Sequence, residues 1–171
     1  MVKRVWMMGI CIERVPTRGT PTEVTMSNIP ALRFPGFVGE WEEKRLGDVG
    51  TFKGGGTPST EIKEYWNGNI PWISSSDILE NNIHEILVSR FISNKAVKES
   101  ATKIISKESI LFVSRVGVGK IAVNKKDMCT SQDFTNMIPV GNDSYFLAYY
   151  FLANKNLLIR HSQGTSIKGW V

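Results

Sequence analysis

Three sets of side chains have the types and spacing that chemistry would need. The first is Glu61-Ile62-Lys63, the Glu-x-Lys shape of many metal-dependent nucleases, with Asp48 upstream as a second carboxylate. Such a set would hold a divalent cation and position a water for phosphodiester attack. Triplets of this kind also arise by chance, and Glu42-Glu43-Lys44 is another, so a solvated charged loop accounts for it as well. The second set, Gly117-Val118-Gly119-Lys120, has the look of a phosphate loop. That motif needs glycine where Ser114 stands and a hydroxyl residue where Ile121 stands, so a hairpin turn is the better account. The third set is basic and polar. Arg115, Lys120, Lys125 and Lys126 fall around one predicted hairpin, Lys53 flanks the glycine run Gly54-Gly55-Gly56, and Lys168 flanks the last glycine turn. Ser74, Ser75, Ser76, Thr130, Ser131 and Gln132 add donors. Arginine can grip a guanine edge with two hydrogen bonds, whereas lysine mostly meets phosphate. For any one of these residues a solvated face is an equal account.

Several chemistries are excluded. The two histidines, His84 and His161, lie far apart, and the two cysteines, Cys11 and Cys129, supply neither a disulfide framework nor a zinc spacing. There is no dinucleotide fingerprint and no zinc-protease histidine pair, so no cofactor is expected. Tyr65, Trp66 and Trp72 are read as core, because no base-stacking module surrounds them. The net charge of +5 tilts toward a polyanionic partner, although two of those charges come from Met1 to Thr25, where Lys3, Arg4, Arg14 and Arg18 face Glu13 and Glu23.

The elements that must position these residues read as an α/β mixture. The stretch from Thr51 to Asp77 organises the chain: a strand from Asp48 to Phe52, a triple-glycine loop reaching positive φ, then a second strand from Ile70 to Ser74. Ser76 and Asp77 cap a helical turn, His84 to Val88 is strand, and Ser93 caps a short helix to Ser100. Ser109 to Ser114 and Lys120 to Asn124 form a hairpin across a glycine turn, and Phe134 to Val140 is a further strand. Asp143 caps a final helix from Ser144 to about His161, with Phe146, Leu147, Tyr150, Phe151, Leu157 and Leu158 on its apolar face.

At 171 residues the chain suggests one domain with an extension. Met1 to Thr25 lacks a cleavage site, its apolar run Val5 to Ile12 is too short to span a bilayer, and linker chemistry follows that run at Pro16 to Pro21. Residues 1–25 are therefore expected to be a non-native or disordered leader, with Met26 as the natural start. Ser27 to Gly39 reads as a surface arm. A reducing cytoplasm fits the cysteine usage, and no membrane partner is expected.

Taken in order, several segments resemble the specificity subunit of type I restriction–modification enzymes. They are Leu32-Arg33-Phe34-Pro35-Gly36-Phe37 with Trp41-Glu42 and Lys44 to Val49; Gly55-Gly56-Thr57-Pro58-Ser59 with Tyr65 to Ile73 and Asp77-Ile78; Leu111 to Lys120; and Thr130-Ser131-Gln132-Asp133-Phe134. The ordered set covers nearly everything from Ile29 to Lys168. The resemblance implies a target recognition domain over 26–171: a compact α/β domain with a strongly bent sheet and flanking helices. In that family two such domains, joined by long helices, each read one half of a split DNA sequence. Methyl transfer and the ATP-driven motor sit on separate modification and restriction subunits. On this reading the DNA-facing set is Lys53, Gly55, Thr57, Ser74, Ser76, Arg115, Lys120, Ser131, Gln132 and Lys168. The family continues past the equivalent of Lys168 into a long helix, so the chain is expected to be a fragment or half-gene that stops before that spacer and is monomeric alone. The competing readings are a metal-dependent endonuclease on Asp48, Glu61 and Lys63, and a protein-interaction module without DNA binding.

Overall fold

The computed structural model describes residues 4–7 and 42–156. Most of the leader, the surface arm, Leu157, Leu158 and Lys168 lie outside them. The chain divides into two compact units, Met1–Leu46 and Gly47–Val171. In the first, strand β1 (Arg4–Met7) pairs antiparallel with β2 (Glu42–Arg45), from Arg4↔Arg45 to Met7↔Glu42.

A one-turn helix α1 (Leu46–Val49) leads into the elements of the second unit. These are β3 (Gly50–Gly54), β4 (Ile70–Ile73), β5 (Arg90–Ile92), helix α2 (Asn94–Glu99), β6 (Ile104–Ile105), β7 (Ile110–Val113), β8 (Ile121–Val123), β9 (Met128–Thr130), β10 (Phe134–Pro139) and helix α3 (Ser144–Ala153). The strands form two four-stranded sheets, ordered β3-β10-β7-β8 and β5-β4-β9-β6. The first is antiparallel throughout, and in the second only β4 and β9 run parallel. The fold is thus the mixed α/β class, its strands divided between two sheets with no closed barrel among the described residues.

The apolar run Ile110-Leu111-Phe112-Val113 is buried on every residue because β7 is covered on both faces. Leu111 and Val113 join Ala122 and Phe134 of their own sheet against Ile73, Ile105 and Met128 of the other, which makes the central core. On the outer face of the first sheet Phe112 meets Phe151 of α3 edge to face, centroids 5.0 Å apart. On the outer face of the second, Trp72, Ile92 and Cys129 pack with Tyr65 and with Ala96 of α2. Side chains alternate between faces along each strand, so Trp72 and Ile73 serve different layers.

Several boundaries differ from expectation. Residues 46–49 are helical, so the strand expected from Asp48 begins at Gly50 instead. His84 to Val88 is not a strand; it contributes one isolated bridge, Ile78↔Ile86, and the strand falls at Arg90–Ile92. The short strands β6 and β9 were not foreseen, because two or three residues are too few to show a period. Ser93 caps α2 and Asp143 caps α3, the latter accepting from the Phe146 amide at 2.7 Å. Phe146 itself is 42% exposed, while Leu147, Ala148 and Phe151 face the sheet.

Candidate nucleic-acid interface

Strand register decides which loops meet. Thr130 pairs with Ile73, Phe134 with Val113, Thr135 with Gly54, and Phe112 with Ile121. The C-terminal ends of β3, β4, β7 and β9 and the starting ends of β8 and β10 therefore lie at one end of the second unit. The loops that leave them carry most of the expected DNA-facing residues.

Hydrogen bonds tie these loops together. The Thr57 hydroxyl donates to Gln132 Oε1, joining the glycine loop to the β9–β10 turn. Ser74 begins a single helical turn, Ser75–Asp77, closed by a reciprocal cap: the Ser74 amide donates to Asp77 Oδ2 at 2.7 Å. Ser74 Oγ lies 2.8 Å from Ser76 Oγ. Lys120 Nζ donates to the Ser75 carbonyl at 3.4 Å, which links the β7–β8 turn to the same place. The Ser114 amide donates to the Asp133 carbonyl at 2.7 Å. Arg115 stands exposed at the opening of its turn, and Gly117 and Gly119 close that turn at φ +80° and +98°, a conformation costly for other residues. A strand follows the turn where a phosphate loop would have a helix.

The expected residues do not all have the same standing. Lys53, Thr57, Ser76, Arg115 and Gln132 are exposed, and Ser74 and Lys120 are half-buried. Ser131 is 2% exposed and spends its hydroxyl on Asp133 Oδ2 at 3.1 Å, so it shapes the turn rather than presenting a donor. Gly55 is also structural: a Cβ there would lie 2.0 Å from the Ser131 carbonyl oxygen. Neither Gly55 nor Gly56 has positive φ, which corrects the reason expected for the glycine run. The run is needed because the Gly56 amide donates to the Thr130 carbonyl at 2.8 Å, bringing two backbones into contact. Lys125 and Lys126 also depart from expectation. They follow the far end of β8, so Arg115 and Lys120 share a face without them.

The nuclease set does not assemble. Asp48 lies in α1 before β3 and Glu61 in the loop after it, and no hydrogen bond or ion pair among the described residues joins either of them to Lys63. Sequence reading missed Arg90. Its guanidinium pairs with Asp77, donates to Ser74 Oγ at 2.7 Å and lies 4.6 Å from the Trp72 ring centroid. Only the fold reveals this role, since Arg90 is 13 residues from Asp77 in an unremarked stretch.

Beside it, the Lys95 ammonium lies 2.7 Å from Glu64 and holds that carboxyl below the usual carboxylate range. The Glu99 carboxylate accepts from the Tyr65 hydroxyl and raises its pKa.

Comparison with known proteins places this geometry in a family. The model of the type I restriction modification DNA specificity domain matches residues 39–170. The type I restriction enzyme MjaIX specificity subunit of Methanocaldococcus jannaschii is 44% identical over 116 residues, 66% of this chain and 26% of that protein. The EcoR124I/EcoR124II specificity subunit of Escherichia coli is 35% identical over 122 residues, covering 68% of this chain and 30% of that protein. The chain thus spans between a quarter and a third of the curated relatives it matches. The crystal structure of the HsdS subunit from Thermoanaerobacter tengcongensis superposes with a TM-score of 0.58 at 17% identity, over 80% of this chain and 34% of that one, a likeness of fold. The chain belongs to the type I restriction modification DNA specificity domain family.

Proposed function

We propose that the second unit is a target recognition domain that reads one half of a bipartite DNA sequence, within 26–171, for a type I restriction–modification complex. The observation that carries the reading is the convergence of four polar loops, with cations at the β3 end and the β7–β8 turn, on one end of two packed sheets in a chain of this family. Lys53, Lys120 and Arg115 supply charge there, and Thr57, Ser74, Ser76 and Gln132 supply neutral donors and acceptors. Lys168 is kept in the set on its sequence position alone. Methyl transfer and cleavage belong, on this reading, to modification and restriction subunits in the cytoplasm, and the domain alone is a monomer.

The test is binding of the purified chain to duplex DNA. Affinity should fall steeply as salt rises, because each neutralised phosphate releases counterions. Non-specific binding should sit at about 10⁻⁴–10⁻⁶ M at physiological salt. Arg115→Ala should cost about 1–3 kcal/mol and relax discrimination at one position if the side chain reads a base. Methyl transfer or ATP hydrolysis by this chain alone would refute the assignment. Light scattering at micromolar concentration checks the monomer.

A further inference from the structure

We infer that a second anion site adjoins the loop end: the cleft lined by Thr60, Lys63, Trp66 and Arg90 takes a phosphodiester group of the DNA strand. The inference rests on the recognition reading above and extends it to residues outside that set. The cleft holds about 340 Å³, and two of its four lining residues are cationic. That is the small end of the range for ligand-binding clefts.

Arg90 is held in advance of any ligand. Its ion pair with Asp77 and its bond to Ser74 both use Nη2, and its face rests on Trp72. A guanidinium carries five donors, so those on Nε and Nη1 stay uncommitted among the described residues. The arginine side chain is 39% exposed and its Asp77 partner 14%, so the cation faces outward and the anion is shielded behind it. Such a pinned fork loses little freedom on gripping a phosphate oxygen. Lys63 is exposed and makes no ion pair among the described residues. The neighbouring Glu64 carboxylate is taken by Lys95, so it does not compete for Lys63. Trp66 forms a fixed apolar wall: its indole N–H donates to the Ser59 carbonyl at 3.0 Å and its ring meets Trp72 edge to face at 5.0 Å. A wall of that kind suits the sugar beside a phosphate.

Arg90 joins the cleft to the loop end: it bonds Ser74 and Asp77 of the turn whose Ser75 carbonyl accepts from Lys120. A duplex carries one phosphate charge per ~1.7 Å of axis, so one that rests on the loop end brings phosphates densely past this turn. A phosphate contact adds affinity without sequence preference, which separates this site from the base-reading role proposed for Arg115.

The experiment is a salt titration of duplex binding by the wild-type chain, Lys63→Gln and Lys125→Gln. Lys63 is exposed, so its replacement leaves the core untouched. Lys63→Gln should lower the magnitude of the log–log salt slope by about 0.9 and weaken binding evenly across unrelated duplex sequences. Lys125→Gln, at the other end of β8, should keep the wild-type slope. A Lys63→Gln chain with wild-type slope and affinity would overturn the cleft site and leave the recognition reading standing. A wild-type chain without salt-dependent binding would overturn both.

Discussion

A methyl group on Gly55 would sit 2.0 Å from the Ser131 carbonyl oxygen, and one on Gly56 2.5 Å from the Ala101 carbonyl carbon. Both obstacles are backbone, which has no rotamer to escape into. Gly55→Ala and Gly56→Ala should each destabilise by about 1–3 kcal/mol or more, as overpacking does. Gly54→Ala, where nothing lies within 4 Å, should be neutral or gain about 0.4–1 kcal/mol. Denaturant melts of the three variants check this, and equal stability of all three would show that the close approach is not needed. Cys129 makes a second case at this scale. Burial pushes its thiol up to about 11 from 9.0. The folded chain therefore keeps that proton after the unfolded chain has lost it, and stability falls as pH rises from about 9 to 11. In a Cys11→Ser background, thiol reagents at pH 8 should label Cys129 far more slowly in the native than in the denatured chain.

Among the elements, the β8–β9 turn depends on one buried amide. Asn124 Nδ2 donates to the carbonyls of Ser106 at 2.8 Å and Lys126 at 2.9 Å, and its Oδ1 accepts from the Ser109 amide at 2.8 Å. Asn124→Ala leaves these groups without partners, at about 1–3 kcal/mol for a buried unsatisfied group. Lys126→Ala, exposed on the same turn, should fall within about 0.5 kcal/mol of wild type. Chemical denaturation decides between them: a silent Asn124→Ala would mean that water replaces the side chain. Asn136 has a related role between the sheets, donating from β10 to Thr130 Oγ1 of β9 at 2.9 Å and to the Lys53 carbonyl at 3.1 Å. The glycine loop and the β9–β10 turn are thus positioned by the inter-sheet core rather than by their own sequences.

For the whole molecule, what matters is where the charge lies. Arg115 and Lys120 bracket the β7–β8 turn, and Lys125 and Lys126 bracket the opposite end of β8. A chain carrying Arg115→Glu and Lys120→Glu should lose duplex binding. One carrying Lys125→Glu and Lys126→Glu, with the same change in net charge, should stay within a few-fold of wild type. Equal losses would show that affinity follows net charge alone, since long-range steering is blind to position at low salt. The comparison belongs at roughly physiological ionic strength, where the screening length is about 8 Å and shorter than the domain.

Local chemistry settled much of this protein in advance. The caps Ser93 and Asp143 were legible because a short side-chain oxygen before a helix satisfies orphan amides in any context. The β7–β8 hairpin was legible from an apolar run, a glycine turn and a returning strand. The family was legible from ordered segments, and most of the loop-end residues from their basic or polar type beside predicted turns. Tertiary structure decided what depends on partners distant in sequence. Residues 46–49 became helix and Arg90–Ile92 became strand, although neither showed a strong period. Gly55 and Gly56 turned out to serve a close backbone approach, which only the position of Thr130 and Ser131 could reveal. Lys125 and Lys126 left the cluster because a strand separates its two ends, and Arg90 joined the surface because the fold brings it to Asp77 and Trp72. Side-chain type is written in the chain, whereas proximity is set by strand pairing and core packing.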